Sequence, residues 1–188
     1  MRALIVADVQ NDFCEGGSLA VTGGSAVARA VNDLLAGDHG YGHVVATKDY
    51  HIDPGDHFSD NPDFELSWPP HCVVGTAGPE FHPDLDTSRI EAVFRKGHYS
   101  AAYSGFEGAH EDGTSLADWL RNHGVDEVDV VGLTTDHCVQ ATAADAAKAG
   151  FKTRVLVDLT AGVAPESTAK ALDNLRTAGV ELVDYAAS

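Results

Sequence analysis

The chain has 188 residues, of which 44% are hydrophobic and 22% are charged, and its net charge is −17. This length suits one globular domain, and the composition is that of a folded protein, which excludes a disordered chain. The excess of acidic residues argues against nucleic-acid or anionic-membrane partners, and no apolar run is long enough to span a membrane.

Apolar segments of strand length alternate with segments of helical pattern along most of the chain. Strands are predicted at residues 2–9, 43–51, 90–96, 127–133, 153–159 and 180–185. Helices are predicted at residues 24–36, 115–124, 137–150 and 166–179. Because strands separated by helices pair in parallel through right-handed crossovers, we expect a three-layer α/β/α domain with a mainly parallel, doubly wound sheet.

The interval from about residue 51 to residue 89 interrupts this alternation. It holds most of the prolines and four histidines, and it has little periodicity. A long irregular segment inside a compact domain is usually either functional or disordered. Aromatic residues between its proline-containing turns favour an ordered, functional loop. We therefore expect a single domain over residues 1–188 with a loop insertion at about 51–89.

Reactive side chains follow the ends of four predicted strands. Asp8 ends the first strand, residues 48–51 end the second, Lys96 ends the third, and residues 134–138 follow the fourth. Ligands of parallel α/β sheets bind outside the carboxyl ends of the strands. The sequence therefore predicts a site at this edge.

Cys138 lies in the first turn of a predicted helix, with Asp136 as the expected N-cap residue. A helix N-terminus can lower the pKa of a thiol and favour the thiolate, and its N–H groups can hold an oxyanion. The alternative is a small buried cysteine that packs a helix against the sheet. A disulfide is not expected, because the three cysteines are odd in number and form no CxxC pair.

Asp8 and Lys96 gain a common interpretation beside this cysteine. A carboxylate at the end of a buried strand must be paired or carry an unusual protonation state, although a loop-capping aspartate would also fit. Lys96 taken alone is typical of an exposed strand end. An ammonium group can stabilise a thiolate while an aspartate accepts its proton, so the three residues are predicted as a set.

A second cluster lies at the end of the second strand and in the irregular interval: Asp49, His51, His57 and His71. Asp49 and His51 are two residues apart and point to the same side of an extended chain. One carboxylate and three imidazoles suit a borderline divalent cation such as Fe, Mn, Zn or Co. The alternative is a loop with hydrogen-bonded histidines. Nearby aromatic side chains could form the walls of a slot for a flat ring, or belong to the core: Phe13, Trp68, Tyr103 and His137.

These residues stand in a run of motifs that resembles a known family. The motifs are DVQNDF (8–13), DYH (49–51), WPPHC (68–72), GTAGPEFHP (75–83), KG (96–97), YSGF (103–106) and TDHCV (135–139). In order and combination they resemble the nicotinamidase/pyrazinamidase group of the isochorismatase-like hydrolases, over nearly the whole chain.

The resemblance implies a role for each candidate residue. Cys138 would be the nucleophile, Asp8 the general base and Lys96 the third member of the triad. The implied metal ligands are Asp49, His51, His57 and His71. The implied substrate-binding residues are Phe13, Trp68, Tyr103 and His137. The oxyanion hole would be the backbone N–H groups of Thr134 and Cys138, after a cis peptide between Leu133 and Thr134.

The resemblance also implies an activity and its partners. The expected reaction is hydrolysis of nicotinamide to nicotinate and ammonia, as in NAD salvage, and of pyrazinamide to pyrazinoate, through a thioester. We expect one divalent ion (Fe, Mn or Zn), a small aromatic amide substrate, no nucleic acid and no membrane. Apart from the resemblance, the short, compact chain favours a monomer, with a homodimer as the alternative, and the lack of a membrane span or signal-peptide pattern favours the cytoplasm.

Two departures from the family concern substrate range. Thr134 stands where relatives often carry alanine, and Ala102 stands where many carry an acidic residue. Other functions remain open: a hydrolase of this fold for another small amide, a hydrolase that uses a metal-activated water beside a structural Cys138, or a non-catalytic scaffold.

Overall fold

A computed structural model describes residues 1–187 and contains one six-stranded sheet. In chain order the strands β1–β6 are Arg2–Ala7, His43–Asp49, Ala92–Lys96, Glu127–Leu133, Lys152–Ala161 and Glu181–Val183. Their order in the sheet is β3-β2-β1-β4-β5-β6, and every neighbouring pair is parallel. The sheet is doubly wound, because the strand order reverses between β1 and β4. The predicted fold class is confirmed.

Four α-helices cover the two faces of this sheet. In chain order the helices α1–α4 are Gly24–Ala36, Leu116–Asn122, Gln140–Lys148 and Pro165–Thr177. Alternate residues of a strand face opposite sides of a sheet. On β1, Ile5 packs in a core with residues of α2, α3 and α4, whereas Leu4 and Val6 pack in a second core with α1. None of the helices in residues 1–187 has both the length and the apolar character needed to cross a membrane.

The strands end where the site begins. The predicted strand 2–9 is shorter in the structure because Asp8 adopts a left-handed backbone conformation, with φ of 48°. The predicted strand 43–51 ends at Asp49, and the predicted strand 90–96 begins at Ala92. The irregular interval is packed against the sheet, with Trp68 and Cys72 both buried. Its regular structure consists of single 3₁₀ turns and isolated bridges.

The predicted helix 137–150 is wrong at its beginning. Residues Thr135–Val139 form one wide turn with π-helical hydrogen bonding, and α3 follows it directly. Asp136 is therefore not the N-cap residue, because it lies inside this turn. Its carboxylate instead accepts hydrogen bonds from the N–H groups of Val163 and Ala164 and from the hydroxyl of Ser167, at the start of α4. Such wide turns often occur at functional sites.

Candidate active site

The carboxyl ends of four adjacent strands bring four reactive side chains together. Asp8 follows β1, Asp49 ends β2, Lys96 ends β3, and Cys138 lies in the wide turn after β4. All four side chains are buried, and the exposed fraction of Cys138 is 6%. The site lies at the reversal of strand order between β1 and β4, which is where doubly wound sheets bind their ligands.

Lys96 lies between Asp8 and Cys138. Its Nζ donates a hydrogen bond to Asp8 Oδ2 at 2.8 Å and lies 3.7 Å from Cys138 Sγ. The other oxygen of Asp8 accepts a hydrogen bond from the Thr47 hydroxyl at 2.8 Å. A carboxylate oxygen of Asp8, a carboxylate oxygen of Asp49 and the Sγ of Cys138 all lie within 4.8 Å of one another. The structure thus brings the predicted triad together and adds Thr47, which no sequence signal indicated.

Burial dominates the protonation of this cluster. Desolvation, together with the charge of Asp8, raises the pKa of the Cys138 thiol well above its usual value, and Lys96 offsets this only in part. The expected lowering by a helix N-terminus is therefore outweighed, and the resting sulfur carries its proton. Burial also raises the pKa of Asp8, against the opposing effect of Lys96. Cys138 therefore needs a base to become a nucleophile, and Asp8 is the neighbouring group that can act as one.

Asp49 connects this cluster to the histidines. Burial alone would raise its pKa, but the Lys96 ammonium and the imidazoles of His51 and His71 outweigh burial and hold the pKa well below its usual value. One carboxylate oxygen accepts a hydrogen bond from Lys96. The other lies 3.5 Å from His51 Nε2 and 3.7 Å from His71 Nε2. Asp49 is therefore a carboxylate with one oxygen directed at two imidazoles.

His51, His57 and His71 form one buried cluster, with one nitrogen of each ring within 4.8 Å of the others. Backbone carbonyls orient two of the rings: His51 Nδ1 donates to the Gly97 carbonyl at 2.6 Å, and His71 Nδ1 donates to the Pro69 carbonyl at 2.8 Å. Because a carbonyl only accepts, each Nδ1 must carry hydrogen. The carbonyls thus fix both rings so that Nε2, beside Asp49, is the nitrogen that a metal ion could bind.

This donor set fits a divalent metal ion. Two buried nitrogens, His51 Nε2 and His57 Nδ1, have no hydrogen-bond partner within residues 1–187. Burial and the neighbouring imidazoles lower the pKa of His57 to about 4, so its ring is neutral at pH 7. Neutral imidazoles and an ionised carboxylate are the ligands that Fe, Mn and Zn require.

Two further residues support Asp49 and His51, and sequence reasoning did not single them out. Gln10 holds the backbone of Asp49 from both sides, because its Nε2 donates to the Asp49 carbonyl at 2.8 Å and its Oε1 accepts from the Asp49 N–H at 3.0 Å. Gly97 has φ of 77°, and a Cβ there would lie 2.6 Å from His51 Cε1. Both lie in the motifs that carry the resemblance.

The four predicted ring-binding residues line one pocket beside Cys138. Trp68 and His137 are nearly perpendicular, with ring centroids 4.9 Å apart. Trp68 Nε1 donates to the Tyr103 hydroxyl at 3.2 Å, and Phe13 packs against His71 with ring centroids 5.5 Å apart. Ala102, which the sequence had linked to substrate range, also lines the pocket, and apolar side chains that sequence reasoning missed complete the walls: Leu19, Val21 and Val163. They are ordinary apolar residues, and only the fold brings them here.

The turn that carries Cys138 begins at a cis peptide between Leu133 and Thr134, as the resemblance implied. The Thr134 carbonyl accepts hydrogen bonds from the N–H groups of His137 at 3.1 Å and Val139 at 3.0 Å, which fixes the turn. Thr134 and Cys138 both line the pocket. An apolar slot with aromatic walls, a thiol, a general base and a metal-ligand cluster can hold and cleave a small flat substrate.

The chain is similar in sequence and in structure to members of one protein family. The isochorismatase domain family matches residues 2–187. The chain is 69% identical over 183 residues to the nicotinamidase/pyrazinamidase of Mycobacterium tuberculosis, an alignment that covers 97% of this chain and 98% of that protein. Among solved structures, PnC1 from L. infantum in complex with nicotinate has a TM-score of 0.86 and 39% identity, covering 100% of this chain and 94% of its own. The pyrazinamidase of Pyrococcus horikoshii in complex with zinc has a TM-score of 0.82 and 37% identity, covering 98% and 99%.

Proposed function

The chain belongs to the isochorismatase family, and from this premise we propose that it is a cysteine amidase that hydrolyses nicotinamide to nicotinate and ammonia, and pyrazinamide to pyrazinoate. The observation that carries this proposal is the contact of Lys96 with both Asp8 and Cys138 at the floor of an aromatic pocket. The similarity to nicotinamidases over nearly the whole chain supports the same reaction class.

In the first half of the reaction Asp8 accepts the proton of Cys138 as the sulfur attacks the carboxamide carbon. A C–S bond forms, and the carbonyl oxygen becomes an oxyanion held by the backbone N–H groups of Thr134 and Cys138. Lys96, 3.7 Å from the sulfur, stabilises the negative charge that develops there. Asp8 then gives its proton to the amide nitrogen, the C–N bond breaks, and ammonia leaves a thioester.

In the second half Asp8 acts again as a base. It accepts a proton from a water molecule whose oxygen attacks the thioester carbon. The C–S bond then breaks, the carboxylic acid is released, and the proton returns to the sulfur of Cys138. Burial raises the pKa of Asp8, which makes its carboxylate a stronger base than an exposed aspartate.

The residues that would hold the metal are Asp49, His51, His57 and His71. An ion bound there would supply an electrophilic centre for the ring nitrogen of the substrate and so orient its carboxamide toward Cys138. Phe13, Trp68, Tyr103 and His137 enclose the ring and exclude water. We propose one divalent ion, Fe, Mn or Zn, without choosing among them.

We also propose that the enzyme acts as a monomer in the cytoplasm. The three cysteines are all free thiols, which suits a reducing compartment. The net charge of −17 disfavours polyanionic partners and is compatible with a neutral amide substrate.

The test is ammonia release by the purified, metal-loaded protein with nicotinamide, pyrazinamide and benzamide. We expect release from the first two and much less from benzamide, which keeps the carboxamide but lacks the ring nitrogen. Appearance of nicotinate in the same sample would identify the bond that breaks. No ammonia from either heteroaromatic amide would overturn the proposal.

A further inference from the structure

The hydroxyl group of Thr134 is buried beside the nucleophile without a hydrogen-bond partner. Its Oγ1 has no hydrogen-bond partner among the residues that the structure describes, and the residue is only 5% exposed. The same residue lines the aromatic pocket together with Cys138 and His137. A buried hydroxyl without a partner destabilises a protein, so such groups are uncommon in native structures and call for an explanation.

The other buried threonines in residues 1–187 all have partners. The hydroxyl of Thr47 donates to Asp8, that of Thr135 donates to Thr160, and that of Thr153 donates to the carbonyl of residue 151. The hydroxyl of Thr142 accepts from the N–H of residue 105. Among the buried threonines in residues 1–187, Thr134 alone has a hydroxyl without a partner, and Thr134 alone lines the pocket.

The place of Thr134 in the turn and in the pocket wall indicates which substrate atom would be the partner of its hydroxyl. The backbone N–H of Thr134 is assigned above to the oxyanion of the tetrahedral intermediate. The hydroxyl belongs to the same residue, at the start of the turn that carries Cys138. A hydroxyl can rotate to donate to an oxygen held by its own backbone N–H, and a hydrogen bond to a charged oxygen is stronger than one to a neutral carbonyl.

We propose that the Thr134 hydroxyl is a third donor to the substrate oxygen that becomes the oxyanion, beside the backbone N–H groups of residues 134 and 138. This inference rests on the proposed amidase function. It assigns the Thr134 side chain a catalytic contact, in which the unpaired hydroxyl of the free enzyme gains its partner as negative charge develops on the substrate. The contact is stronger in the transition state than in the bound amide, so its main effect falls on kcat.

The test compares Thr134→Val, which keeps the shape but removes the hydroxyl, with Thr134→Ser, which keeps the hydroxyl. We expect Thr134→Val to lower kcat for nicotinamide by about tenfold to a hundredfold with little change in KM, which is the effect of one charge-assisted hydrogen bond. Thr134→Ser should retain most of the wild-type kcat. Equal kcat in Thr134→Val and wild type would overturn the inference and leave the amidase function intact.

Inhibitor binding gives a second readout of the same contact. Nicotinaldehyde presents a carbonyl oxygen to the site, whereas 3-methylpyridine has the same ring without the oxygen. Thr134→Val should weaken inhibition by nicotinaldehyde by about tenfold or more and leave 3-methylpyridine unchanged. Equal weakening of both ligands would show a distorted pocket instead and would count against the inference.

Thermal stability separates this role from a structural one. Thr134→Val removes no hydrogen bond from the free protein, so its Tm should not fall below that of wild type. The neighbouring Thr135→Val is the matched control, because it removes the 2.8 Å hydrogen bond to Thr160 and should lower Tm. A marked fall in Tm for Thr134→Val would assign the hydroxyl a structural role. A wild-type enzyme without any amidase activity would overturn both this inference and the proposed function.

Discussion

Lys96 and Asp49 form a buried ion pair that joins the surroundings of Cys138 to the histidine cluster. The same ammonium group donates to Asp8, and the second oxygen of Asp49 faces His51 and His71. One cation thus stabilises two buried carboxylates that serve different parts of the site. The electrostatics of the proposed triad and of the proposed metal ligands are therefore coupled, and a change in one should be measurable in the other.

Replacement of Lys96 by methionine should reduce both stability and activity. The substitution leaves Asp8 and Asp49 buried without their common cation, and the loss of one partner of a buried ion pair costs about 3–5 kcal/mol. Urea unfolding at pH 7 measures the stability, and ammonia release measures the activity. Lys170→Met, on the exposed face of α4, is the matched control and should stay within about 0.5 kcal/mol of wild type. A Lys96→Met protein as stable as this control would contradict the described ion pair.

Replacement of His51 should remove the metal while leaving the fold in place. His51 Nε2 is buried and has no hydrogen-bond partner among the described residues, so the substitution removes a proposed ligand atom and, in addition, only the hydrogen bond from Nδ1 to the Gly97 carbonyl. Elemental analysis should find His51→Ala depleted of metal, and added Zn²⁺ should not raise its Tm. Wild type loaded with metal at a hundred times Kd should gain about 2.7 kcal/mol of stability.

The control for this experiment is His82→Ala, in the same irregular interval but outside the histidine cluster. It should bind metal as wild type does. Full metal content in His51→Ala would show that the ion binds elsewhere.

Alkylation of Cys138 should require alkaline conditions in the metal-stripped protein. Burial, with Asp8 adding to it, raises the pKa of this thiol well above 9.0, so the reactive thiolate forms only as the pH rises past that value. Iodoacetamide labelling between pH 6 and pH 11, read by peptide mass spectrometry, gives the profile. An inflection near neutral pH would mean that the turn and Lys96 dominate over burial, as the sequence alone suggested.

Asp136 should stabilise the protein in a pH-dependent way. Its carboxylate accepts hydrogen bonds from Val163, Ala164 and Ser167, and these bonds outweigh burial and lower its pKa below the usual 3.8. A lowered pKa stabilises the fold above the unfolded-state value, and this stabilisation is lost as the pH falls through the lower folded-state value. Asp136→Asn should therefore lose more stability at pH 7 than at pH 3. An equal loss at both values would show that the charge contributes nothing.

The sequence predicted the fold class and the residues that meet at the sheet edge, because both follow from local patterns. Apolar runs mark the strands, and the carboxyl ends of parallel strands share one edge. It did not predict the role of Asp136, since its partners are about 30 residues away at the start of α4 and only the tertiary structure brings them near. Thr47, Gln10 and Val163 were missed for the same reason: each is ordinary in type, and its importance comes from what it contacts.

The protonation state of Cys138 could not be predicted from the sequence either. The position of Cys138 in the first turn of a predicted helix suggested a lowered thiol pKa. Burial raises this pKa instead, and the extent of burial depends on the packing of the whole site. The site roles assigned to the triad, the metal ligands and the ring-binding residues stay predictions until variants are assayed.

The most direct test of the account is ammonia release from nicotinamide by Cys138→Ala, with its metal content measured in the same preparation. Cysteine-dependent chemistry predicts metal content near that of wild type and no release above background, because the thioester cannot form. Substantial release by a metal-loaded Cys138→Ala would contradict the account and assign the chemistry to a metal-activated water, with Cys138 as a structural residue.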